Sequence, residues 1–403
     1  MSDRFDVVIV GAGMVGLTLA GLLARASNPD RLAITVLDAG TRPENPADGD
    51  VGLRVSAVSL GSADILRDVD AWEPITQARA SAFEGMRVWD ARSEVDGPDT
   101  LCFDAADFGV PELGFIVENA LIRVALLDAL QNSSVDLRFS TPIRSVDKSS
   151  SGSRYDLYLD DGQRLSPDLL IGADGAGSLV RKGAGIPVRA WQYPQSALVT
   201  HVEPARPHGS IAWQRFLKDG PIALLPLADG RASIVWSTSP ERVTDALAAD
   251  ADELGRLLTT ASDGVLGDLT VAGPAASFPL RAQHALRYIE PGLALIGDAA
   301  HSVHPLAGQG ANLGFADAAA LAAAVSAAID AGEYPGDVPT LRNYERARRG
   351  ANTTMLHFID SVNRLFLSER GLLAGLRTNG MRLFNRSGPI RRRAVEVALG
   401  INI

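Results

Sequence analysis

Along this chain, short apolar runs that end at glycine or aspartate alternate with longer stretches of helical spacing. Asp6 to Val10, DVVIV, is a β-branched run that predicts a fully buried strand. It feeds into Gly11-Ala12-Gly13-Met14-Val15-Gly16, then a helix over Leu17 to Ala26 and a second strand over Ala33 to Leu37. Met86 to Asp90 and Leu101 to Asp104 read as short strands parted by a Gly-Pro turn, and Asn119 leads a helix, ALIRVALLDALQ. Val135 to Phe139, Tyr155 to Leu159 and Arg164 to Ser166 read as antiparallel strands, the last two joined at Asp160-Asp161-Gly162. Asp168 to Ile171 is another buried strand, followed by Asp174-Gly175 and by Ser178 and Arg181 on a short helix. From Ala190 to Trp236, strand-like runs carrying Trp191, Trp213 and Trp236 predict an antiparallel sheet. Those tryptophans read as packing or as contacts to a large apolar molecule. A helix over Glu241 to Thr260 and a strand over Phe278 to Gln283 lead to a buried strand, Leu293 to Ile296, which stops at Gly297-Asp298. A helix then runs from Ala311 to Ile329, and the chain beyond residue 340 reads as helical.

The order strand, GxGxxG, helix, strand and acid carries the first chemistry. Gly11 makes the tight turn, Gly13 admits a pyrophosphate and Gly16 lets the helix pack on the strand, while Asp38, 22 residues after Gly16, is placed for ribose hydroxyls. NAD and FAD share this motif, so it leaves the choice between them open. Asp174 and Asp298 each follow a buried strand, and two strand-end carboxylates far apart in sequence suit a long ligand held from several sides. Gly308-Gln309-Gly310 stands at the predicted start of a helix, where backbone N–H groups and about half a positive charge face outward. Arg54 is a ligand contact or a surface ion pair, and Asn119 a ligand contact or a helix cap. His301 and His304 read as anchors that hold their loop by hydrogen bonds, or as proton carriers. No Ser-His-Asp or metal-ligand constellation is evident.

Composition narrows the partners. The 403 residues suggest two or three domains. A single cysteine, Cys102, rules out an intrachain disulfide and a cysteine-based metal cluster, which suits a reducing, cytoplasmic compartment. The net charge of −10 and pI near 5.2 argue against nucleic acid as a partner. The start lacks a secretory signal, and the longest apolar candidate, Ala318 to Ile329, falls short of the ~20 residues of a membrane span. Charge is unevenly spread: Arg364 to Ile403 holds eight arginines and two glutamates among leucines and phenylalanines. Such a tail lies on an anionic membrane, docks an acidic partner, or packs on the body with solvated arginines.

GAGMVG, GADGAGSLVR and GDAAHSVHPLAGQGANLGFADA together resemble the single-component FAD-dependent aromatic hydroxylases. ENALIRVALLDAL, IALLPLADG with Trp236, and PLRAQHALRYIEPGLALIGDAAH narrow the resemblance to the ubiquinone-biosynthesis hydroxylases of the UbiH/UbiF type. One departure is Asp38, where that group more often has glutamate. The resemblance implies an α/β fold in which a Rossmann-like FAD-binding domain (residues 1–72, 106–184 and 278–340) carries an inserted antiparallel-sheet substrate domain (73–105 and 185–277) and a helical C-terminal region (341–403). It implies that Gly11, Gly13, Gly16 and Asp38 hold the adenosine end of FAD, that Arg54 and Asn119 touch the cofactor, and that Asp174 lies near the pyrophosphate. Asp298 would bind the ribityl or phosphate region, and Gly308, Gln309, Gly310, Ala311 and Asn312 would face the isoalloxazine. The implied reaction hydroxylates the ring of a prenylated phenol through a flavin C4a-hydroperoxide, with O2 and with NAD(P)H or another donor of electrons. Implied partners are a multiprotein ubiquinone-biosynthesis complex and the inner face of a membrane.

Overall fold

The structure, a computed structural model, describes residues 4–26, 30–46, 50–150, 152–304, 309–367, 387–388, 391–393, 396 and 400. A six-stranded sheet organises the first layer, in the order Ile289–Glu290, Leu293–Leu295, Leu169–Gly172, Phe5–Val10, Leu32–Leu37 and Asp136–Arg138. All its pairings are parallel except the first. Strands buried on both faces read as unbroken apolar runs, which is why DVVIV and LLIG are so easily found. The register aligns Val10 with Leu37 and with Gly172, and Gly172 with Leu295. Four strands therefore end on one line, and the chain segments that follow them share the carboxyl edge of the sheet. In open α/β sheets that edge is where ligands sit.

One expectation fails nearby, and one strand carried no sequence signal. The run at Val135 to Phe139 is not antiparallel: Asp136–Arg138 pairs parallel with Leu32–Leu37 at the sheet edge. Tyr155–Leu159 pairs antiparallel with Arg164–Leu165, as expected, and on its other side with Ile143–Lys148, whose sequence IRSVDK has too few apolar positions to announce a strand.

The second layer is a large sheet in the order His301–Ser302, Ala276–Ala285, Val188–Pro204, Ala232–Thr238, Gly220–Pro226, Ile211–Leu217, Gly85–Asp90 and Leu101–Asp104, with Leu269–Val271 also paired to Val188–Pro204. It is antiparallel apart from one parallel pair, Ile211–Leu217 with Gly85–Asp90. Leu198, Ile222, Leu224, Ile234 and Trp236 pack its outer face against two helices, Pro240–Ala248 and Ala251–Ala261. The sequence predicted one helix there. It breaks because Ala249 is extended and the Asp250 carboxylate accepts the Glu253 N–H at 2.8 Å, starting a new helix. Trp236 is core, and Trp89 and Trp213 meet edge to face with centroids 6.2 Å apart, so these rings pack.

The first helix, Met14–Ala26, lies against the long helix Gln309–Asp330, and the last helix, Val338–Leu367, packs on the latter. Small residues bring the first two close: a Cβ at Gly314 would lie 2.4 Å from Val15 Cγ2. Residues 310–330 reach the length and apolarity of a membrane span, with mean hydropathy 1.5 over the tested window, more than the sequence reading allowed. In the fold, 61% of that window is buried inside the protein, because alanine and glycine let the helix be covered closely on several sides. Most of the arginine-rich tail beyond residue 367 lies outside the described residues.

Candidate functional site

At the carboxyl edge the three glycine-bearing segments meet. Gly11 has φ +112°, its N–H donates to Leu37 O at 2.7 Å, and a Cβ there would stand 2.3 Å from Ala173 O. Only glycine lets the first turn press on the segment that leads to Asp174. A Cβ at Gly16 would be 2.0 Å from Gly11 O, which packs the helix on its own turn. Gly13 differs: nothing lies within 4 Å of its missing Cβ, so its surface is open to a close approach. On the other side Gly297 lies against Val15, bringing in the third segment.

Asp38 faces the glycine turn. Its Oδ2 accepts the Ala12 N–H at 2.7 Å and its Oδ1 the Gly40 N–H at 2.8 Å. Arg123 reaches both parts, donating Nε to Ala12 O at 2.6 Å and placing Nη2 3.3 Å from Asp38. Sequence reading passed over Arg123; the signal was an arginine amid the apolar positions of ALIRVALLDALQ.

Asp174 Oδ2 accepts the N–H groups of Leu179 and Val180, and Oδ1 is enclosed with no partner. Ser178 caps the same short helix. Arg181, only 5% exposed, donates to Ala299 O at 2.7 Å and Ala176 O at 2.8 Å, tying this loop to the one at Asp298. Gln283 bridges the same loops through Ala176 O and Asp298 O.

Asp298 sits in a single 3-10 turn, Gly297–Ala299. Its side chain is open to solvent, yet protein closes round it enough that desolvation raises its carboxyl above the usual range, against the pull of His301 and Arg54. Exposed area combined with strong desolvation marks a residue lining a concave cleft rather than a protruding one. Arg54 belongs to the same cleft: it is exposed, and its guanidinium lies 5.4 Å from the centroid of Phe278. Asn119 is not the helix cap, which is Glu118; its Oδ1 accepts Ser56 Oγ–H at 2.7 Å, and its N–H donates to Arg54 O.

Gly308 lies outside the described residues. The helix starts earlier than predicted, at Gln309, so Gly310 and Ala311 form its first turn, half-buried. Asn312 is turned away from the opening: Oδ1 accepts the Ser59 N–H at 3.0 Å and Nδ2 donates to Ala57 O at 2.9 Å. It joins this helix to the strand that carries Ser56.

The two histidines separate. His301 is an anchor, with Nε2 2.5 Å from Asp317 Oδ2. Asp317 is fully buried and also accepts the Gly297 N–H at 3.1 Å, Arg348 Nε at 2.9 Å and Asn352 Nδ2 at 2.9 Å. Burial pushes this carboxyl up, but His301, Arg348 and Asn352 outweigh it and hold it below the ordinary range. A lone acid in the alanine-rich FADAAALAAA was the overlooked sign of this network. His304 is no hydrogen-bonded anchor: it is 1% exposed, and neither ring nitrogen has a partner among the described residues. Burial lowers it to about 4, despite the opposing charge of Asp360.

Opposite the rim, the inner face of the large sheet alternates with its helix-covered face. The register sets Val199 beside Val235 and Val235 beside Ala223, and Ala223, Val235 and Leu225 are only half-buried. Phe278 pairs with Ala197, which has the same parity as Val199, so this apolar floor continues under Arg54. The cleft thus offers backbone donors, open glycine surface and carboxylates, and the large sheet offers a half-buried apolar patch, with Gln214, Ser233 and Ser237 on the same face. That chemistry fits an adenine dinucleotide beside an apolar ring. Among the described residues, no group of three or more His, Cys, Asp or Glu could hold a metal ion.

The family model described as FAD binding domain matches residues 4–358. The 3-demethoxyubiquinol 3-hydroxylase of Escherichia coli (strain K12) is 36% identical over 397 residues, covering 98% of each chain. The mitochondrial ubiquinone biosynthesis monooxygenase COQ6 of Homo sapiens is 36% identical over 438 residues, covering 98% of this chain and 92% of that one. In fold, the chain is similar to the p-nitrophenol 4-monooxygenase PnpA from Pseudomonas putida DLL-E4, with TM-score 0.78, 17% identity and full coverage of both chains.

Proposed function

Because this chain belongs to the FAD-binding-domain family and is an FAD-dependent monooxygenase of ubiquinone biosynthesis, we propose that its substrate is a prenylated phenol, hydroxylated on the ring. The observation that carries this is the half-buried apolar patch of Ala223, Leu225 and Val235, on the sheet face that continues through Val199 and Ala197 to Phe278 beneath Arg54. A prenylated ring needs hydrocarbon beneath it, and burial of such surface is worth about 25 cal/mol per Å².

Bound FAD supplies the redox chemistry, activating O2 once reduced and delivering one oxygen atom to the ring. The chain's own work is to hold, orient and exclude water. In this reading Gly11, Gly13, Gly16 and Asp38 hold the adenosine end, with Arg123 bracing Asp38 against the turn. Asp174 lies by the pyrophosphate, Asp298 takes ribityl or phosphate-side hydroxyls, and Arg54 and Asn119 touch the cofactor from the opposite strand, with Asn119 Nδ2 available. Gly308 and Gln309 are assigned to the ring system by the sequence resemblance alone, and Gly310, Ala311 and Asn312 offer it backbone at the helix start. A helix start there favours negative charge gathered on a reduced ring. NAD(P)H is the proposed electron donor.

We assign residues 1–72, 106–184 and 278–340 to the cofactor domain, 73–105 and 185–277 to the substrate domain, and 341–403 to the helical region. The arginine-rich tail motivates a peripheral contact with the inner face of a membrane, or with a biosynthetic assembly. Removal of residues 370–403 should reduce sedimentation with anionic vesicles; unchanged sedimentation removes the membrane contact.

The decisive experiment supplies purified FAD-loaded protein with NAD(P)H, a short-chain prenylphenol and ¹⁸O2. One labelled oxygen in the ring product is expected. Consumption of reductant with hydrogen peroxide as the sole oxygen product would overturn the assignment.

A further inference from the structure

Gly52 is held by side chains from two directions. Its N–H donates to Glu118 Oε2 at 2.5 Å, and His201 Nε2 stands 3.2 Å from its carbonyl oxygen. Glu118, 2% exposed and also paired with Arg79 at 2.8 Å, ends the middle strand of the three-stranded sheet of Val55–Val58, Gly114–Glu118 and Ser81–Phe83. His201, 1% exposed, comes instead from the large sheet, where it pairs with Ser233 on the face that carries Val199. Gly52 O can only accept, so Nε2 carries the proton and donates it. Burial holds the imidazole below its ordinary range, which keeps it neutral near pH 7. A third bond fixes the same segment, from the Asn119 N–H to Arg54 O at 2.9 Å.

What this grip controls is Arg54, two residues on. Its side chain is exposed, its guanidinium lies 5.4 Å from the centroid of Phe278, and its charge acts on Asp298. A long exposed side chain is aimed by the backbone that carries it, and a site is precise only where that backbone is locked from behind. The segment has room to shift if released, because Val51, Arg79, Glu118, Leu227 and Asp229 line a cavity of about 240 Å³ beside it. Glu118 and Asn119 tie the segment to the strand next to it, whereas His201 ties it to the large sheet.

We propose that His201 is a positioning residue, which by donating to Gly52 O locks residues 52–54 against the large sheet and so aims Arg54 at the FAD. This rests on the reading of Arg54 as a cofactor contact. The bond sets the sheet that carries the apolar patch at a fixed spacing from the cofactor cradle.

The test measures release of FAD from the loaded full-length protein on serial dilution, read as recovery of free-flavin fluorescence. Arg54→Ala should raise the FAD dissociation constant about tenfold and His201→Leu about fivefold, the scale of one or two hydrogen bonds. The double variant should bind FAD no more weakly than Arg54→Ala alone, since a side chain that is absent cannot be misaimed. His201→Gln, whose amide nitrogen can stand where Nε2 stood, should return most of the loss. Losses that multiply to about fiftyfold in the double variant, or wild-type affinity in His201→Leu, overturn the proposal. Wild-type affinity in Arg54→Ala removes the cofactor-contact reading, and the proposal falls with it. Should His201→Leu not fold, His201→Asn, too short to reach Gly52 O, takes its place with the same outcomes.

Discussion

Asp317 and His304 lie thirteen residues apart, both shut away from water, and they are treated in opposite ways. Asp317 receives four hydrogen bonds, from a strand end, a loop histidine and two residues of the last helix. His304 receives none from the described residues. A buried charge must be fully paired to be tolerated, and once paired its removal exposes the partners to the same penalty. A buried neutral ring with no partner adds nothing to stability and is retained at a cost. The first group holds Gly297, and with it Asp298, in place; the second is held by packing, edge to face with Tyr193.

Breaking Asp317 should give the largest effect. Asp317→Leu leaves the Arg348 guanidinium buried and unpaired, and should cost about 3–5 kcal/mol in urea denaturation. A loss below about 1 kcal/mol would mean that the network is not what holds these helices together. Next, Asp317→Leu combined with Arg348→Met should recover at least about 2 kcal/mol of that loss, because the uncompensated charge is gone. Simple addition of the two single losses would contradict this.

The third prediction concerns pH. His304 and His284 are both lowered to about 4, His304 by burial and His284 by burial with His301 and Arg349 adding to it. A histidine whose folded pKa is depressed lets the unfolded chain take the proton first. Its contribution is intact above the unfolded value near 6.5 and falls away as pH drops toward 4, by at most about 1.4 kcal/mol per pH unit for His304. His304→Leu should therefore flatten the acid limb of a melting-temperature profile between those limits. An unchanged limb would show that His304 is not buried neutral. The smallest effect is expected at pH 8, where His304→Leu should leave stability within about 1 kcal/mol of wild type, on the stabilising side, since an unpaired polar ring is replaced by hydrocarbon. A loss above about 2 kcal/mol would place His304 among structural groups like Asp317.

Much of the cradle was legible. DVVIV, GAGMVG and Asp38 are contiguous pieces of one βαβ unit, so local spacing alone sets the turn, the helix and the acid on one edge. The runs ending at Gly172 and Leu295 were equally plain, because strands buried on both faces leave no polar interruption. The break at Ala249 was missed although Asp250 with Glu253 is a capping pattern, since periodicity continued on both sides of it. Ile143–Lys148 was missed because its partner strand, not its composition, makes it a strand.

What the sequence by itself determined is the nucleotide-binding order, the strand-end carboxylates and the family resemblance. These depend on neighbours within a few dozen residues. Only the tertiary structure decided that Arg123 braces Asp38, that Asn312 serves the backbone at Ala57 and Ser59, and that His301 is paired while His304 is not. Those outcomes turn on which groups from residues 12 to 352 come within about 3 Å of one another, the reach of a hydrogen bond. No local pattern carries that information.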